Sequence, residues 1–82
     1  MLETVIQSLF AQAQAQNGRA STCLSKGLWL VADTRSARRT LVLFRRVGQP
    51  SMQEARICAK YAGFNSYAIA PHGNKLVIFE KE

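Results

Sequence analysis

Three stretches of this chain, Leu28-Trp29-Leu30-Val31, Leu41-Val42-Leu43-Phe44 and Leu76-Val77-Ile78-Phe79, are apolar at four successive positions. Side chains on a β-strand point alternately to opposite faces, so each of these strands carries apolar residues on both sides and wants cover on both. The chain has 82 residues, enough for a single small domain, 1–82, and a domain of that size buries only about 60% of its unfolded surface. Two arrangements meet the demand for cover. Two helices can sit on opposite faces of the sheet, or both can sit on one face while a second copy of the chain, in a homodimer, covers the other.

The rest of the chain supplies those helices. Leu2, Val5, Ile6, Leu9, Phe10 and Ala13 recur at helical spacing and the pattern stops at Asn17–Gly18, which predicts an amphipathic helix with a C-terminal stop. "ASTCLS" (20–25) is a short β-compatible stretch, "LWLVAD" (28–33) a better strand after the Lys26–Gly27 turn, and "TLVLFRR" (40–46) the next. Ser51 and Glu54 have capping-box spacing and open a second helix, with Met52, Ala55, Cys58, Ala59 and Tyr61–Ala62 on its inner face and Gly63 as a left-handed stop. "SYAIA" and "KLVIFEK" flank the turn cluster "PHGN" and read as a closing hairpin. The fold class is α+β, a small mixed sheet of four to five strands with two helices, in the order α-β(β)β-α-β-β.

Charge is concentrated in the middle. The net charge is +6, and Arg35, Arg38, Arg39, Arg45 and Arg46 lie between Asp33 and Glu54 with no acid intervening. On a connecting segment and a strand end, these five can meet at one sheet edge, where guanidinium groups hydrogen-bond phosphate oxygens in pairs. Five bases without a counter-charge exceed what solubility or protection of a sheet edge requires. The reading is a small non-catalytic module that contacts nucleic-acid phosphates through this cluster. The alternative is a protein-interaction factor, an inhibitor or adaptor carried by a phage or other mobile element, docking its basic face on an acidic protein surface. Trp29, Phe44 and Phe79 read as core residues, and Tyr61, Phe64 and Tyr67 as nearer the surface.

Catalysis is poorly provisioned. His72 is the one histidine, in a turn, and two separated cysteines with it fall short of a four-ligand structural metal site. Cys23 and Cys58 lack CxxC spacing and read as reduced, buried small side chains, and the N-terminal stretch has an acid where a signal peptide needs bases. The expected location is cytoplasmic, and no run approaches the ~20 apolar residues of a membrane span.

A first helix bearing Glu3, a strand ending at Asp33, the basic-tipped "LVLFRRVGQPS" and then a helix resemble the core of the PD-(D/E)XK nuclease superfamily. Over residues 1–70 the chain is most similar to small VRR-type nuclease domains, in which an acid-x-Lys strand leads through a Gly/Pro/Ser-rich turn to a Gln-bearing helix. The resemblance implies that Asp33 matches the metal-binding aspartate, Glu3 the helix-borne acid, and Gln53 or Glu54 lies near the family's glutamine. Where the family has acid-x-Lys, this chain has Leu43-Phe44-Arg45 or Phe44-Arg45-Arg46, so the second metal-binding carboxylate is absent. A hydrolytic metal site needs several oxygen ligands, and the resemblance therefore implies a degenerate site with no catalytic residue, cofactor or metal. Weak Mg²⁺- or Mn²⁺-dependent cleavage through Asp33 and Glu3 ranks third. Without the strand at 20–25, the order αββαββ is also similar to a cyclic rearrangement of ferredoxin-like and SPOR-like domains, which usually bind rather than catalyse.

Overall fold

The computed structural model describes residues 2–81. Helix α1 spans Leu2–Ala15, strands β1, β2 and β3 span Arg19–Ser25, Leu28–Asp33 and Thr40–Arg45, helix α2 spans Met52–Tyr61, and strands β4 and β5 span Tyr67–His72 and Lys75–Glu80. The five strands form one sheet in the order β1-β2-β3-β5-β4. Every neighbouring pair is antiparallel, so the expected mixed sheet is wholly antiparallel.

The local signals act as their chemistry requires. Asn17 and Gly18 both adopt positive φ, 61° and 89°, and turn the chain from α1 into β1. A side chain at Gly18 would also collide with that of Arg35, which lies against it. At α2, the Glu54 amide donates to Ser51 Oγ (3.1 Å) and the Ser51 amide donates to Glu54 Oε1 (2.9 Å), completing the capping box. Pro71 and His72 belong to β4 rather than to the turn, which contracts to Gly73–Asn74. Proline is tolerated there because β4 is an edge strand, where a missing N–H need not break a ladder.

Both helices lie on one face of the sheet. Ile6, Leu9, Phe10 and Ala13 of α1 and Ala55, Cys58 and Ala59 of α2 form one buried cluster with Ala20, Leu30, Ala32, Leu41, Leu43, Leu76 and Ile78. Phe64 joins this core at 6% exposure, contrary to its expected place near the surface, and Tyr67 packs against it. Met52 and Tyr61, expected on the inner face of α2, are about 40% exposed because the core is filled by the smaller Ala55, Cys58 and Ala59. β1 is a seven-residue strand paired to β2, with a bulge between Cys23 and Ser25, so the strand at 20–25 that the ferredoxin-like and SPOR-like comparison omits is present.

Candidate functional site

The opposite face of the sheet has no helix, and its register sets out what it presents. Following the pairings across the five strands gives three rows: Arg19, Asp33, Thr40, Phe79, Ala68; Ser21, Val31, Val42, Val77, Ala70; and Cys23, Trp29, Phe44, Lys75, His72. Trp29, Phe44 and Phe79, read from the sequence as core, are thus on the uncovered face, with Phe79 41% exposed. Each run of four apolar residues gives two side chains to the core and two to this surface. Trp29 and Phe44 are cross-strand partners with ring centroids 6.3 Å apart and planes only 11° from parallel.

Beside this ring pair is a shallow, open depression of about 780 Å³. It is lined by Trp29, Val31, Val42 and Phe44 and bordered by the polar side chains of Arg19, Arg46, Asn74 and Lys75, with Gln12 and Gln16 of α1 reaching it past the β1 edge. The rim is held in place by backbone contacts. The Arg46 amide donates to the Gly27 carbonyl (3.0 Å), Asn74 Nδ2 to the Arg45 carbonyl (2.8 Å) and Gln49 Nε2 to the Gly73 carbonyl (2.7 Å), which ties together two turns and the loop into α2.

The five arginines singled out from the sequence do not meet at a sheet edge. β3 is the central strand, and Arg35, Arg38 and Arg39 lie beyond its start while Arg45 and Arg46 lie at its end, about 20 Å apart at ~3.3 Å per residue. Three of them have counter-charges. Arg35 pairs with Asp33 (2.7 Å), Arg39 with Glu80 (2.7 Å) and Arg45 with Glu54 (2.7 Å). The hydrogen bonds from Arg35 hold the Asp33 carboxyl below its ordinary pKa, and those from Arg39 do the same for Glu80. Glu54 is lowered first by the Ser51 amide and then by Arg45.

Arg39 does the most structural work of the five. It makes two hydrogen bonds to the Glu80 carboxylate (2.9 and 2.7 Å), and its guanidinium lies 5.4 Å from the Phe10 ring centroid and 5.0 Å from that of Phe64. It therefore fastens the start of β3 to α1, to the end of α2 and to β5. Among the described residues, Arg38 and Arg46 have no carboxylate partner, and only Arg46 lines the depression. Arg19 and Lys75, which the sequence reading passed over, complete the rim. The signal for them was parity: Lys75 lies two residues before Val77 and Arg19 two before Ser21, on the same face in each case.

No known protein family, curated protein or solved structure matches this chain. The site therefore has to be read from its own geometry. Among the described residues, no three His, Cys, Asp or Glu side chains are grouped to hold a metal ion, and the Asp33 carboxylate is paired with Arg35. Cys23 is exposed, against expectation, because it sits on an edge strand and faces the uncovered side. Cys58 is buried, and loss of solvation, reinforced by Glu54, pushes its thiol up to about 11.

Proposed function

We propose that the protein is a non-catalytic module that binds single-stranded nucleic acid on its uncovered sheet face. The observation that carries this reading is the near-parallel Trp29–Phe44 pair, set on a face without helices and bordered by Arg19, Arg46 and Lys75. An unpaired base can stack on such a surface for about 1–3 kcal/mol, whatever its identity, while the basic rim takes the phosphates. A duplex keeps its bases stacked inside and can offer this face only its backbone. Of the original five arginines, Arg46 is retained as a contact and Arg38 as an outlying one, while Arg35, Arg39 and Arg45 hold the frame.

The protein has one tryptophan, so its fluorescence reports directly on the site. Titration with a single-stranded oligonucleotide should quench Trp29, with affinity falling on added salt at a log–log slope of about −2 for three phosphate contacts. Arg46→Ala with Lys75→Ala should weaken binding at least about tenfold, and Arg35→Ala should leave it unchanged. Absence of quenching at low salt, or equal binding of a duplex without quenching, would overturn the reading.

Half-buried Val42 and Val77 at the centre of this face favour a second occupant, an acidic protein partner with an apolar centre. This is the inhibitor or adaptor of a phage or mobile element. It requires a protein to quench Trp29 where oligonucleotides do not.

A further inference from the structure

The sheet's two edges are built differently. β4 carries Pro71 in its own strand, whereas β1, the longest strand, contains neither proline nor lysine, pairs only with β2, and keeps an unbroken register with it over residues 19–23, ahead of a bulge before Ser25. Its outward amides and carbonyls therefore form an open template for another strand. α1 runs alongside it, and a groove of about 310 Å³ follows the seam between them, lined by Thr4, Val5, Ser8, Leu9, Gln12 and Thr22. Val5 is 38% exposed in that groove.

Charge identifies the occupant. Arg19 is the single charged residue between positions 4 and 25, in a chain whose net charge is +6. Exposed helix faces ordinarily carry charged side chains, and here they are serine, threonine, glutamine and alanine. Two copies of a strongly basic protein repel wherever their basic surfaces meet, and this flank is where they meet without doing so. We infer that β1 and the adjoining flank of α1 are the surface through which two copies of this chain pair, strand to strand and helix to helix.

An antiparallel pairing centred on Thr22 sets Ser21 opposite Cys23 of the second copy and leaves the two Arg19 side chains at opposite ends. The two-fold axis is then perpendicular to the sheet and the contact is self-complementary. It places both α1 helices side by side on one face, and the two uncovered faces become one surface of double width. The inference does not rest on the nucleic-acid reading, although Arg19 and Gln12 border both the edge and the depression on the uncovered face.

Sedimentation equilibrium at about 100 μM and below tests it by concentration-dependent mass. The expected mass is twice the 9.1 kDa of one chain. Ser8→Lys with Gln12→Lys, both at exposed helix positions, should return it to the single-chain value with unchanged circular dichroism. Hydrogen exchange of the wild-type chain supplies a test without substitution: the outward amides of Ser21 and Cys23 should exchange more slowly as concentration rises. A single-chain mass throughout overturns the inference. So does a dimer whose β1 exchange is independent of concentration, because its contact lies elsewhere.

Discussion

On the helical face of the sheet, Leu30, Leu41, Leu43, Leu76 and Ile78 are fully withdrawn from solvent, whereas Trp29, Val42, Phe44, Val77 and Phe79, which alternate with them on the same strands, keep partial or greater exposure, with Val31 alone on that side buried, at 6%. The difference follows from dimensions. Five strands at about 4.8 Å span roughly 20 Å, and two helices packed about 10 Å apart cover that width once. Placing one helix on each face would leave both faces half covered and divide the core. Putting α1 and α2 together closes one core and leaves the other face of the sheet uncovered. Apolar residues on both sides of a strand therefore need not mean burial on both sides.

Substitutions at adjacent residues of β3 sharpen this comparison most strongly. Leu43→Ala removes a fully buried side chain and should cost about 3–4 kcal/mol in urea unfolding. Val42→Ala, one residue away on the uncovered face, should cost about 1 kcal/mol or less. Equal losses would break the comparison, since they require Val42 to be as deeply covered as Leu43.

The fold was legible from the sequence because its signals are local and agree. The spacing of Leu2 to Ala13, the Ser51–Glu54 capping box and the positive-φ glycines each specify an element without reference to the rest. The site was not, for two reasons of different kind. The choice between one helix on each face and two on one face depends on widths in three dimensions, which no local pattern records, so Trp29 and Phe44 were assigned to a core. For the arginines, proximity in sequence is not proximity in space. Arg39 and Arg45 stand at opposite ends of one strand, and their counter-charges, Glu80 and Glu54, come from other elements.

A comparison of arginines follows, at smaller scale. Arg39→Ala removes the contacts to Phe10 and Phe64 together with a partly exposed ion pair, and should destabilise by about 1–2 kcal/mol, most of it from the ring contacts. Arg46→Ala should change stability by less than about 0.5 kcal/mol while weakening the nucleic-acid binding proposed for the uncovered face. Thermal unfolding and Trp29 titration of the same two variants separate the roles. An Arg39 variant of unchanged stability would return that residue to the candidate ligands.

The smallest effect expected is on acid stability, and it comes from the three carboxylates paired with arginines. Asp33, Glu54 and Glu80 each titrate below their ordinary values in the folded chain. The unfolded chain therefore takes up protons first as pH falls, and stability follows it down. For Glu80 the contribution is complete above its ordinary value of 4.5 and is lost as pH drops through the lowered folded value. The pairs are partly exposed, so each amounts to a fraction of about 1 kcal/mol and shrinks with salt. Melting temperature should accordingly be flat above pH 4.5 with respect to Glu80 and decline below it, with a shallower decline in Arg39→Ala. Arg46→Ala, on the uncovered side and without a carboxylate partner among the described residues, should follow the wild-type curve; an equal flattening there would mean that the two sides of the sheet are electrostatically coupled.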